Sequence, residues 1–180
     1  MFYMFFADGF EEVEAIAALD VIRRAGIKAE SVGIGSREIT GAHGITVICD
    51  KSETDIKPST ELEGVILPGG MPGTTNLLAS DCVNCFIDYC AQNSLYLCAI
   101  CAAPMILGRK GLLCGKKAVC FPGFESELKG AELSDAYVCR DGKTITAKGM
   151  GSAVNFGLEI VASVCGEQAA AELKSNLQCS

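Results

Sequence analysis

The chain alternates between short runs that are apolar throughout and longer stretches in which apolar residues return every three or four positions. Residues 1–6, Met-Phe-Tyr-Met-Phe-Phe, form the first run, and residues 11–25 have the helical spacing, with Gly26 as the stop. Strands are predicted over 29–33 and 45–49, separated by a glycine-rich link, and over 63–67, where Pro68-Gly69-Gly70 ends the strand. Residues 81–92 read as a helix, 95–100 as a very apolar strand, and 103–109 as the start of another helix. A β stretch is expected around 118–121. A hairpin turn at Asp141-Gly142 leads into a strand over 144–147, and helices over 152–164 and 167–174 close the chain.

Strands that are apolar throughout and separated by helices imply a mostly parallel sheet covered on both faces. No linker, repeat or low-complexity block interrupts residues 1–180, so one domain is expected.

The composition is globular, 49% hydrophobic and 21% charged. A net charge of −7 and a pI near 4.8 leave no basic stripe for nucleic acid and no cationic cluster for anionic lipid. A small neutral or polar substrate, or a protein partner, suits that balance better. The apolar start is short, has no basic flank and runs into Asp8, so it reads as a strand and not as a signal peptide. The longest uncharged run, 89–108, approaches the length of a membrane span, but Gln92-Asn93-Ser94 and Pro104 divide it. A cytoplasmic protein without a membrane segment is expected.

Eleven cysteines, an odd number, suit a reducing compartment, where thiols act as small hydrophobes or reactive groups. Cys82-Val-Asn-Cys85 and Cys98-Ala-Ile-Cys101 have zinc-ribbon spacing, yet one pair lies in a helical segment and the other ends a strand, whereas zinc knuckles sit on tight turns. Three residues of extended chain span about 10 Å, too far for a Cys98–Cys101 disulfide, which tolerates about 7 Å. Neither a metal nor a phosphate loop is expected. Gly111 to Lys116 is one residue short of that loop, and Gly33-Ile-Gly35 lacks the third glycine of a dinucleotide fingerprint.

Cys101 differs from the other ten. It ends an apolar strand and precedes Ala102-Ala103-Pro104, a sequence that permits a sharp turn into a helix with Pro near its first position. The sulfur then sits at the carboxyl end of a sheet strand, near free helical N–H groups that favour thiolate. One more buried cysteine remains the bland alternative. The glycines of Leu67-Pro68-Gly69-Gly70 let backbone N–H groups approach an oxyanion, or serve only a turn. Among the acids of Asp8 to Glu14, most belong to a solvated helix start. Glu14 lies at the edge of an expected buried stripe of Val13, Ile16, Ala17 and Val21, where it can face a cleft.

Gly9-Phe10-Glu11-Glu12-Val13-Glu14-Ala15, Leu67-Pro68-Gly69-Gly70 and Ala99-Ile100-Cys101-Ala102-Ala103-Pro104 resemble, in order, the signature segments of the DJ-1/ThiJ/PfpI superfamily. Lys148-Gly149-Met150-Gly151-Ser152 resembles that family's glycine-rich turn before its penultimate helix. The resemblance implies a flavodoxin-like three-layer α/β sandwich, usually a homodimer. It also implies a nucleophile-elbow cysteine, Cys101, hydrogen-bonded to Glu14, with an anion pocket from backbone groups of Gly69, Gly70 and Ala102. The implied activities are cofactor-independent conversion of glyoxals to hydroxy acids, repair of glycated groups, oxidative-stress sensing and chaperone action.

Three positions depart from the pattern. Ala102 stands where family peptidases place histidine, so a Cys-His peptidase is not expected. Cys120-Phe121-Pro122 lacks the histidine of many stress-response members, and Met150 replaces a frequent proline. The single histidine, His43, lies between early strands and is expected at a surface or interface. The expected function is therefore cysteine-dependent glyoxalase or deglycase chemistry on small aldehydes such as methylglyoxal. A redox sensor or chaperone working through Cys101 oxidation is the alternative.

Overall fold

The structure is a computed structural model and describes residues 1–179. In chain order the elements are β1 (Phe2–Phe6), α1 (Glu12–Arg24), β2 (Ala29–Gly33), β3 (Glu38–Thr40), β4 (Thr46–Ile48) and β5 (Lys51–Ser52). They continue with β6 (Gly64–Leu67), α2 (Gly73–Ala79), α3 (Asp81–Gln92), β7 (Tyr96–Ile100), α4 (Pro104–Arg109) and β8 (Lys117–Ala118). The last are β9 (Glu132–Leu133), β10 (Val138–Asp141), β11 (Thr144–Ala147), α5 (Ala153–Cys165) and α6 (Glu167–Asn176).

The main sheet has seven strands in the order β10-β11-β7-β6-β1-β2-β5. Every neighbouring pair is parallel except the β10–β11 hairpin. Side chains alternate across β1, so Phe2, Met4 and Phe6 enter a core shared with α1, α5 and α6. Tyr3 and Phe5 enter a second core under α3 and α4, where Phe86 packs edge-on against both rings. Coverage of both faces is why β1 tolerates no polar residue. The result is the expected three-layer α/β sandwich.

Several expectations need correction. The 45–49 strand is real but lies outside the main sheet: β4 pairs antiparallel with β3 as a separate hairpin. The 118–121 stretch contributes only β8, paired with β9 in a third small sheet. Phe121 is drawn elsewhere, its N–H donating to the Cys101 carbonyl at 2.8 Å. On α1 the stripe of Val13, Ile16, Ala17 and Val21 is not the inner face. Val13 and Ile16 are 46% and 43% exposed, while Glu12, Glu14, Ala15, Ala18 and Ile22 are buried with Val21. Gly157 of α5 leaves room for Val21 and the Ala18 backbone, so α1 turns this face toward α5 and leaves Val13 and Ile16 outside the core. The uncharged 89–108 run is divided between α3, β7 and α4, and no helix among the described residues is long and apolar enough to cross a membrane.

The strand order fixes where a ligand can bind. From β1 the chain adds β2 on one side and β6 on the other, so the loops after β1 and β6 diverge and leave a crevice at their carboxyl ends.

Candidate active site

Three segments far apart in sequence meet in that crevice. The first is the entry to α1. Phe10 is buried, and the Glu11 side chain caps the helix by accepting the Glu14 N–H at 2.7 Å. The second is the turn after β6. The Glu11 N–H donates to the Gly69 carbonyl at 2.9 Å, and the Gly69 N–H donates back to Glu14 Oε2 at 2.9 Å. A Cβ on Gly69 would lie 2.5 Å from the Cys101 Cβ and 2.6 Å from Glu14 Oε2, so only glycine fits between them. Gly70 has φ +88°, and a side chain there would strike the Glu11 backbone.

The third segment is the elbow after β7. Cys101 has φ +64°, in the left-handed region that a non-glycine residue rarely adopts. Its backbone is pinned on both sides: its N–H donates to the Ala147 carbonyl at 2.9 Å and its carbonyl accepts from Phe121. The strained turn aims the sulfur back over the crevice, where the N–H groups of Gly70 and Ala102 reach it. Pro104 begins α4 at its first position.

The electrostatics are those of a pair. Burial pushes the Glu14 carboxyl up to about 7, and the neighbouring Glu11 charge adds to this. The hydrogen bonds from Cys101 and Gly69 oppose it. Burial also pushes the Cys101 thiol up, to about 12, and the Glu14 charge and hydrogen bond add to it. The Gly70 and Ala102 N–H groups pull it down. Two negative charges in this pocket are thus strongly disfavoured, and the charge on sulfur depends on Glu14 keeping its proton. A helix dipole alone, the source suggested by the sequence, is a weak one here, since α4 has only six residues.

Of the residues named from sequence, Glu14, Gly69, Gly70, Cys101 and Ala102 all converge. Gly69 takes a different part from the expected one. Its N–H is committed to Glu14, so it orients the carboxyl and leaves Gly70 and Ala102 as the donors facing sulfur. The other cysteines stand apart: Cys98 is fully buried within β7, Cys82 and Cys85 lie along α3, and all eleven thiols are free among the described residues.

Sequence reasoning passed over two features. Glu12, buried like Glu14, accepts from the His43 N–H at 2.7 Å and pairs with His43 Nδ1 at 2.9 Å. Glu11, Glu12 and His43 are the one group among the described residues spaced to reach a common metal ion. With its oxygens already taken by His43, Glu12 is a structural anchor for the β3–β4 hairpin. The second feature is a cavity of about 270 Å³ beside the elbow, walled by Phe121, Pro122, Tyr137 and residues 148–152. The missing histidine at Cys120-Phe121-Pro122 and Met150 in place of a frequent proline were the signals pointing to it.

Residues 2–163 match the model of the DJ-1/PfpI family. The chain is 32% identical over 174 residues to Protein dj-1beta of Drosophila melanogaster, covering 95% of this chain and 92% of that one. It is 33% identical over 175 residues to the Parkinson disease protein 7 homolog of Danio rerio, covering 95% and 93%. A mutant of a DJ-1 superfamily protein from Salmonella typhimurium superposes with a TM-score of 0.93 at 30% identity, over 99% and 98% of the two chains. The oxidized DJ-1 of Toxoplasma gondii superposes with a TM-score of 0.95 at 26% identity, again over 99% and 98%.

Proposed function

This chain belongs to the DJ-1/PfpI family, and from that premise we propose that it is a cofactor-independent glyoxalase or deglycase-type enzyme of the cytoplasm. Its substrates are reactive aldehydes such as methylglyoxal, or their adducts on other molecules. The observation that carries the proposal is the pairing of a thiol held on a strained backbone elbow with a carboxyl whose burial holds it near neutral. A carboxyl poised there can both give and take a proton at working pH.

The chemistry balances without an external oxidant. Cys101 thiolate adds to the aldehyde carbon, forming a C–S bond, while the carbonyl electron pair moves to oxygen. Glu14 supplies the proton that makes a hemithioacetal, and the Gly70 and Ala102 N–H groups face the developing oxyanion. Glu14, now a carboxylate, removes the proton from the former aldehyde carbon and returns it to the adjacent carbon. The first carbon is oxidised to a thioester and the neighbouring ketone is reduced to an alcohol, the proton of the hemithioacetal hydroxyl passing to the former ketone oxygen. Water then cleaves the thioester, releasing a 2-hydroxy acid and the thiol.

Turnover of methylglyoxal to lactate by the purified protein tests this. Lactate formation that disappears in Cys101→Ser supports the proposal. Absence of lactate from well-folded protein refutes it.

A second reading, a sensor or chaperone controlled by oxidation of Cys101, is favoured by the Gly70 and Ala102 N–H groups, which would hold a charged oxidised product at that sulfur. The buried Cys98 offers it no disulfide partner, so its product is a sulfenate or sulfinate. Limiting peroxide should then oxidise Cys101 before the other ten thiols. Peptide mass spectrometry that finds Cys82, Cys85 or Cys179 oxidised first contradicts this.

The working form is a homodimer. Val13, Ile16, Ile45 and Ile48 are all exposed, and Val13, Ile16 and Ile45 line an apolar groove with Ala17. A second copy covering this face would bury more than about 1,200 Å² in total. Light scattering that finds only monomer at micromolar concentration overturns the dimer.

A further inference from the structure

Large apolar side chains left in solvent fall mostly into two groups. One is the α1 face just described. The other consists of Phe121, Tyr137 and Met150, which are 47%, 72% and 55% exposed and wall a single cavity of about 270 Å³. Apolar surface gathered round a concavity marks a binding surface more strongly than the same residues scattered singly.

This cavity adjoins the reacting groups. The Phe121 N–H holds the Cys101 carbonyl at 2.8 Å. At Gly149 the two meet: a Cβ there would lie 3.2 Å from the Phe121 ring and 3.9 Å from Glu14 Oε1. The polar groups of the wall are occupied or face outward. The Ser152 hydroxyl donates to the Gly149 carbonyl at 2.7 Å, and the Lys148 ammonium lies over the Tyr137 ring at 5.6 Å. Among the described residues no carboxylate lines the cavity, so a cationic substituent finds no counter-charge there, and the exposed wall is mainly the apolar surface of Phe121, Tyr137 and Met150.

From this juxtaposition we infer that the enzyme prefers α-oxoaldehydes whose second substituent is aromatic or bulky and apolar, seated against Phe121, Tyr137 and Met150. The inference rests on the proposed aldehyde chemistry of Cys101 and leaves its steps unchanged, because the substituent takes no part in bond making. It specifies what lies on the far side of the dicarbonyl.

The test compares matched pairs that differ only in that substituent. kcat/KM for phenylglyoxal should exceed that for methylglyoxal by at least about tenfold. That ratio should fall severalfold in Met150→Ser and Tyr137→Ser, which leave the Cys101 backbone contacts intact. A ratio near one, or a ratio unmoved in both variants, overturns the inference.

A second measurement is independent of turnover. N-phenylmaleimide and N-methylmaleimide are allowed to compete for the thiols, with the exposed Cys85, Cys114 and Cys165 as internal references. Mass spectrometry should show Cys101 enriched in the phenyl adduct relative to those three. Enrichment without aldehyde turnover leaves the apolar site standing and removes the glyoxalase reading. Turnover without aryl preference does the reverse. Failure of either reagent to label Cys101 shows that the cavity does not lead to the sulfur, and this also overturns the inference.

Discussion

Two glutamates at the start of α1, Glu12 and Glu14, are 4% and 1% exposed, yet their surroundings push them in opposite directions. Burial raises Glu14, and its hydrogen bonds with Cys101 and Gly69 do not restore it, so it stays near 7. Burial acts on Glu12 as well, but His43 ring and backbone hydrogen bonds, with a longer one from the Ile45 N–H, hold it below the usual carboxylate range. Solvent is excluded from both side chains, but Glu14 lies deep in the fold while Glu12 sits under a thin cover. Depth and donors together decide whether a buried carboxyl becomes an acid or an anchor.

The largest expected contrast is catalytic. Glu14→Gln preserves a donor to sulfur but cannot pass a proton, and it should lower methylglyoxal turnover by about 10² to 10⁴-fold. Glu12→Gln should keep most of the turnover. Similar losses in the two variants, measured in one assay, would erase the distinction.

Stability should rank them the other way. Glu12→Ala leaves the His43 N–H unsatisfied and empties the space that Gly41 keeps free for the carboxyl. It should cost about 2–3 kcal/mol in urea unfolding, with the β3–β4 hairpin loosened.

The pH dependence sharpens the comparison. Folded Glu14 keeps its proton up to about 7, whereas the unfolded carboxyl loses it near 4.3. Folding takes up a proton between those values, so stability falls as pH rises through that window and then levels off. The drop is on the order of 3–4 kcal/mol, at about 1.4 kcal/mol per pKa unit. Glu14→Gln should lack it, and thermal melts at pH 5 and pH 8 measure the difference. A wild-type stability that rises across the window reverses the assignment.

The smallest effect belongs to His43. Its ring is exposed, and the hydrogen bond to Glu12 raises its pKa above the ordinary histidine value. A raised base stabilises the fold at low pH and loses that contribution as pH climbs past its folded value. His43→Ala should therefore shift the melting temperature slightly at pH 5.5 and not at pH 8.5. An equal shift at both pH values would mean that the ring acts by packing and not by charge.

Much of this protein is legible in its sequence. Phe-Tyr-Met-Phe-Phe in β1 can only be a strand covered on both faces, and the apolar run into Cys101-Ala-Ala-Pro can only be a strand breaking into a helix. The β-α alternation then places Cys101 and the Gly69-Gly70 turn at the same end of the sheet. These features depend on local backbone sterics and on the period of side-chain direction, which a sequence records directly. What tertiary structure decided lies between segments. Hydrophobic pattern states that Val13 and Ile16 are apolar, but not whether their own chain covers them, and it does not. It cannot show that the Gly69 N–H is committed to a carboxyl 55 residues away, or that Glu12 and Glu14, two positions apart, meet opposite partners. Desolvation and hydrogen bonding act through space, so the proton affinity of Glu14, and with it the charge on the Cys101 sulfur, exists only once the three segments have closed on one another.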